Sequence, residues 1–209
     1  PACGQMQNFV YLIGDREKGE CLIVDPAWAI DELVDLAEAD GMKVVGALAT
    51  HYHPDHVGGS MFGFTLEGAA RLNARCSCKL HCHHDEAHGI KRVTGLSDSD
   101  LVTHASGDKV KVGSVEVEIL HTPGHTPGSI CFRLKDALVA GDTLFLQGCG
   151  RVDLPGGDSE QMYYTLTQRL ATLPGEMVLY PGHAYGGAHA PLSEVRRNNP
   201  YLRVKDLMQ

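Results

Sequence analysis

His51-Tyr52-His53-Pro54-Asp55-His56 places four histidine or aspartate side chains within six residues. Imidazole nitrogens and a carboxylate this close compete for protons unless a cation holds them, so the block predicts a metal site carrying one or two divalent ions. The apolar run Val44-Val45-Gly46-Ala47-Leu48-Ala49 precedes it and reads as a short buried strand that delivers the ligands at its carboxyl end. Gly58-Gly59 then lets the chain turn away sharply.

Three further apolar runs end in turns that carry His or Asp. Val115-Glu116-Val117-Glu118-Ile119-Leu120 alternates as a half-buried strand should and runs into His121-Thr122-Pro123-Gly124-His125-Thr126-Pro127-Gly128. Ala137-Leu138-Val139-Ala140 leads into Gly141-Asp142-Thr143, and Met177-Val178-Leu179-Tyr180 into Pro181-Gly182-His183.

Elsewhere Asn8 to Ile13 and Cys21 to Val24 read as hairpin strands. Ile30 to Ala39 reads as an amphipathic helix with Ile30, Leu33, Val34 and Ala37 on one face. A second helix is expected over Thr65 to Arg75. Strands follow around Val110, Val115, Ile130 and Leu138, then a helix from about Ser159 to Leu173, the Met177 strand and a terminal helix near Leu192 to Asn198. Two comparable halves of strands and single helices suit an α/β fold, an αβ/βα sandwich in one domain spanning 1–209, with the ligands converging on one edge. The segment from Leu66 to Val102 has no evident packing.

In spacing and local sequence these motifs resemble the metallo-β-lactamase superfamily, from about Phe9 to about Leu202. The resemblance implies the four-layer metallo-β-lactamase fold. It places one metal on His51, His53 and His125 and another on Asp55, His56 and His183, with Asp142 bridging; His121 competes with His125 and is given a structural or supporting role. Two such cations about 3.5–4 Å apart share a hydroxide and polarise a carbonyl, which is hydrolysis of an ester-like bond. Asp55 can also accept the proton of the attacking water. Zinc is the expected metal, with iron or manganese chemically admissible for nitrogen and oxygen ligands.

Arg151 and Tyr185 resemble glutathione-contacting positions of the hydroxyacylglutathione hydrolases (glyoxalase II) and of the persulfide dioxygenases. Arg151 could fork onto a substrate carboxylate or pair with Asp153 or Asp158; Tyr185 could donate a hydrogen bond or act as an electrophile beside the metals, as in lactonases. The expected activity is therefore thioester hydrolysis on a thiol-derived small molecule of the acylglutathione type. The alternative is a mononuclear iron persulfide dioxygenase using only His51, His125 and Asp142.

With 209 residues, 43% of them hydrophobic, the chain can bury a substantial core. A net charge of -8 argues against a nucleic-acid partner. No apolar stretch approaches the roughly 20 residues that cross a bilayer. The expected location is the cytoplasm, with a removed organellar targeting segment left open because the chain starts at Pro1; a homodimer is also left open. Seven cysteines without framework spacing suit a reducing compartment. Cys76, Cys78 and Cys82 with His81, His83 and His84 could make an auxiliary zinc site, although the spacing is not that of a zinc finger. Cys149 is expected to be a packing residue.

Overall fold

The computed structural model describes residues 6–207; Cys3 lies outside them. The chain forms the strands β1 (Tyr11–Asp15), β2 (Glu20–Val24), β3 (Lys43–Leu48), β4 (Gly59–Met61), β5 (Phe64–Leu66), β6 (Leu80–His83) and β7 (Leu101–His104) in its first half. The second half adds β8 (Lys109–Val112), β9 (Val115–His121), β10 (Ile130–Arg133), β11 (Ala137–Gly141), β12 (Val178–Pro181) and β13 (Ala190–Pro191). One sheet has the order β1-β2-β3-β6-β7 and the other β13-β12-β11-β10-β9-β8, while β4 and β5 form a separate hairpin. The helices are α1 (Ile30–Ala39), α2 (Pro54–Val57), α3 (Ala69–Cys76), α4 (Ala87–Thr94), α5 (Ser159–Tyr164) and α6 (Leu192–Asn198).

Period-2 alternation makes four layers from two sheets. In β2, Cys21 and Ile23 face a core shared with Ile30, Val34 and Ala37 of α1 and Leu72 of α3. The intervening Leu22 and Val24 face the opposite sheet and meet Val117, Ile119, Ile130 and Phe132. In β11 the same division sends Val139 to the inter-sheet core and Leu138 and Ala140 to a third cluster under Met162, Leu166 and Leu192. The result is helix, sheet, sheet, helix, with apolar contact between each pair of layers.

β2, β3, β6 and β7 run parallel, so helical crossovers bring each strand's carboxyl end to the same edge of the first sheet. The second sheet is antiparallel from β8 to β11, and β11 and β12 are parallel, which places Asp142 and His183 side by side beyond their strands.

Three sequence expectations shift. The first hairpin begins at Tyr11, because Asn8 leaves it to bridge with His183. The helix expected from Thr65 begins at Ala69: Thr65 and Leu66 pair with Gly59 and Ser60 around a Phe62-Gly63 turn in which both residues have positive φ, the conformation of a tight hairpin. The Ser159 to Leu173 helix is α5 followed by a π-type turn over Thr165–Arg169 and a 3₁₀ turn over Leu170–Thr172. The stretch from Leu66 to Val102 holds α3, β6 and α4, which complete the first sheet and its helix layer. Among the described residues, no helix is long and apolar enough to cross a membrane.

Candidate active site

Pro54 starts α2 at its first turn, where a missing N–H costs nothing, and Gly58 ends it at φ 84°. That single turn buries Asp55 and His56, while His51 and His53 approach from the loop after β3. His125 follows β9, Asp142 follows β11 and His183 follows β12. The candidate ligand atoms fall into overlapping groups, His51 with His53 and His125, His51 with His56 and Asp142, and Asp55 with His56 and His183; within each they lie within 4.8 Å of one another.

Asp142 stands between the two outer groups. Its Oδ1 is 3.3 Å from His56 Nε2, and its Oδ2 is 3.2 Å from His183 Nε2 and 3.7 Å from His125 Nε2. Asp55 Oδ2 lies 3.4 Å from His56 Nε2 and 3.5 Å from His183 Nε2. His125 Nε2 is 3.0 Å from His53 Nδ1.

Hydrogen bonds behind the site fix which nitrogen four of the five rings present. His125 Nδ1–H donates to the Arg151 carbonyl at 2.7 Å, and His183 Nδ1–H to the Met6 carbonyl at 2.7 Å, leaving both Nε2 lone pairs facing inward. His51 and His56 share one support, Asp25. Its Oδ2 accepts from His56 Nδ1 at 2.9 Å and from Thr50 Oγ1 at 2.7 Å, and Thr50 Oγ1 in turn accepts from His51 Nδ1 at 3.0 Å. Asp25 Oδ1 takes the Thr50 N–H at 2.7 Å, and the residue holds φ 53°, a conformation Asp adopts more readily than most.

A second buried carboxylate joins the ligand loops. Glu86, fully buried, accepts the Tyr52 N–H (2.7 Å) from the first loop and Thr126 Oγ1 (2.8 Å) and the Gly128 N–H (2.8 Å) from the His125 loop. Sequence reading missed both Asp25 and Glu86. Asp25 carried a usable signal, since it directly follows the Cys21 to Val24 strand; Glu86 gave none, because it is one carboxylate in a charged loop.

The electrostatics suit a cation. Burial and adjacent imidazoles hold His51 well below the ordinary histidine range and push His53 down to about 4. Burial also disfavours a charged His56, but Asp142 and Asp55 outweigh it and raise the ring well above the usual value. Burial opposes ionisation of Asp142 as well, yet His56 and His183 hold it well below the carboxylate range. Among the described residues, three buried side-chain atoms lack a hydrogen-bond partner: Asn8 Oδ1, His51 Nε2 and Asp142 Oδ1. Two of the three point at the ligand cluster, and orphaned buried acceptors beside bare nitrogens are what a divalent cation would satisfy.

These groups floor a cleft of about 640 Å³, walled by Met61, Phe62, Leu154, Pro155, Tyr185 and Tyr201. Tyr185 stacks on His183 at 2° between ring planes and 5.0 Å between centroids. Arg151 lines the cleft, but its guanidinium is engaged by Asp153 through Nε (2.9 Å) and Nη2 (2.8 Å), the intramolecular pair that was the alternative to a substrate contact. His121 stays apart from the ligand cluster, donating through Nε2 to the Pro127 carbonyl. Cys149 borders the cleft, half-buried, with its thiol pushed up to about 11 by burial, so it stays protonated at neutral pH. Among the described residues no cysteine joins a metal-competent group; Cys82 is fully buried on the face of β6 opposite to His81 and His83.

Comparison with known proteins places this geometry. The human mitochondrial persulfide dioxygenase ETHE1 is 33% identical over 202 residues, covering 94% of this chain and 72% of its own length. A hydroxyacylglutathione hydrolase of Polaromonas is 40% identical over 185 residues, covering 86% of this chain but 63% of its own length. The crystal structure of ETHE1 from Myxococcus xanthus superposes with a TM-score of 0.83 at 30% identity, covering 98% of this chain and 84% of that one. A family model for the metallo-β-lactamase superfamily matches residues 3–183, a span that holds every ligand candidate from His51 to His183. The chain belongs to the metallo-β-lactamase superfamily of metal-dependent enzymes.

Proposed function

We propose that this protein is a dinuclear metallo-hydrolase that cleaves a thioester of the acylglutathione type. One observation carries the reading: two separate three-residue ligand groups, His51/His53/His125 and Asp55/His56/His183, stand on either side of the Asp142 carboxylate. Two bound divalent cations, zinc in this reading, supply a Lewis acid and a nucleophile generated from water at neutral pH.

The chain's own residues do the rest. Asp25 and the Arg151 and Met6 carbonyls hold four imidazoles in the ligating tautomer. Asp55 faces the cleft as a carboxylate: burial works against its charge, but His56 and Asn8 hold it below the usual range, and it orients the attacking water and takes its proton. Burial, Asp142 and Asp55 raise the Tyr185 phenol, so its hydroxyl stays protonated and donates to the thioester carbonyl. The apolar wall of Met61, Phe62 and Leu154 receives the acyl group. Arg151 exchanges its exposed partner Asp153 for a glutathione carboxylate, since such a pair is held weakly in water.

A second reading, a mononuclear iron persulfide dioxygenase, is favoured by one observation: His51 Nε2 and Asp142 Oδ1, on two of its three iron ligands with His125, are two of the three orphaned atoms. Metal analysis paired with two assays separates them. About two zinc ions per chain and oxygen-independent cleavage of an acylglutathione support the hydrolase; one iron and oxygen uptake with glutathione persulfide overturn it.

A further inference from the structure

Five of the twelve histidines gather on a second face, away from the cleft. His81 and His83 alternate along β6 and so point to one side, and His104, closing β7, is paired in register with His83. His81 Nδ1 is 2.8 Å from His104 Nε2. His121 closes β9 in the other sheet, and its ring lies parallel to that of His83, 4.0 Å away and inclined by 6°. The His84 ring is 4.1 Å from that of His83. The Asp85 carboxylate reaches between them, 3.5 Å from His83 Nδ1 and 3.4 Å from His84 Nε2.

We propose that His83, Asp85 and His121 form a second divalent-cation site, separate from the cleft, that takes a zinc-class ion on two imidazoles and one carboxylate with His84 as the adjacent fourth donor. One ligand atom from each of the three residues lies within 4.8 Å of the others. Zinc–nitrogen bonds of about 2.0–2.1 Å in a tetrahedral site bring donors to roughly 3.4 Å, so closure needs a movement on the order of 1 Å. Coordination exchanges the parallel stack for two rings tilted toward a common ion.

The support behind the ligands is already in place. His121 Nε2–H donates to the Pro127 carbonyl at 2.9 Å, which leaves Nδ1 bare; a backbone carbonyl on the far nitrogen is the usual prop of a metal-ligating imidazole. His83 is 2% exposed, and its Nδ1 accepts the Asp85 N–H at 3.3 Å, a long bond that coordination at that nitrogen would replace. The donors are nitrogen and oxygen, not the cysteine sulfurs of the same segment, which favours zinc, copper(II) or nickel(II) over softer ions. A cation here would tie the end of β6 in one sheet to the end of β9 in the other, four residues before His125.

Zinc titration of the metal-free full chain, followed by bound-metal analysis and by histidine side-chain nitrogen NMR, tests the site. The wild type is expected to take up one equivalent more than His121→Phe, whose ring preserves the stack on His83, and Asp85→Asn should weaken that equivalent about tenfold or more. In the wild type the His83 and His121 nitrogens should shift on saturation. Equal uptake by wild type and His121→Phe, or unshifted His83 and His121 nitrogens in excess zinc, overturns the proposal; the nitrogen spectrum decides alone should the variant fail to fold. Cleft equivalents are counted separately from the His51, His56 and His183 resonances, so this site and the hydrolase reading fail independently.

Discussion

Asp25→Asn tests how the ligand shell is held. The Asp25 carboxylate is 3% exposed and accepts from His56 Nδ1, from Thr50 Oγ1 and from the Thr50 N–H, and through Thr50 it also orients His51. Asparagine keeps the shape and one acceptor oxygen. With that oxygen on the Thr50 N–H, its amide nitrogen faces His56 Nδ1, where two donors cannot meet. The ring resolves the conflict by moving its proton to Nε2, the nitrogen that faces Asp55, Asp142 and His183, and a protonated nitrogen cannot ligate. Loss of one such supporting partner typically weakens metal binding 10–100-fold, about 1.4–2.7 kcal/mol. Zinc competition against a chromophoric chelator should show this loss in the more weakly held equivalent, with far-ultraviolet circular dichroism unchanged. A change of less than about twofold, with the fold intact, would refute the tautomer reasoning.

Glu86→Gln replaces one carboxylate oxygen by an amide and strands at least one of three donors in a fully buried position, at about 1–3 kcal/mol in denaturant unfolding; a loss under about 0.5 kcal/mol would remove its role in joining the two ligand loops. In the metal-free chain, His53, His81 and His83 sit at about 4, below the unfolded value near 6.5, so unfolding takes up protons and stability falls as pH drops through that window. His56 and His183 run the other way: their folded values are raised, and the stability they add is present below about 6.5 and lost as pH rises through the folded values. Chelator-treated protein should therefore be most heat-resistant near pH 6.5, and zinc, by replacing the proton, should abolish the alkaline decline; a monotonic rise to pH 8 without metal would contradict this. Arg151→Ala should raise KM for an acylglutathione while leaving small glutathione-free thioesters unaffected, and an unchanged KM would remove the glutathione assignment.

The parts of the candidate site that were legible in the sequence share one property: each candidate ligand loop follows an apolar run, so strand and loop announce each other. His51, His125, Asp142 and His183 all sit just beyond β3, β9, β11 and β12, and this common edge follows from the alternation that sorts Leu138 from Val139. Apart from Asp25, which follows a strand, what supports the ligands was not legible. Glu86 and the Met6 and Arg151 carbonyls act from positions 26 to 177 residues distant from the groups they hold, where no periodicity points. The β4–β5 hairpin escaped because its strands are three residues each and none of those residues is buried, so they carry no burial pattern. Arg151 shows a different limit, since a cation beside a cleft reads the same whether it awaits a substrate or already holds Asp153.

In the proposed hydrolase the cleft holds two cations, one of them on Asp55, His56 and His183. The most direct measurement is the number of metal ions bound at the cleft in His183→Ala against wild type, with both carried on the His121→Phe background so that the outer histidine face contributes none. With two cleft ions, the count should fall from two to about one. An unchanged metal content would contradict it and leave His183 as a support for a single ion on His51, His125 and Asp142.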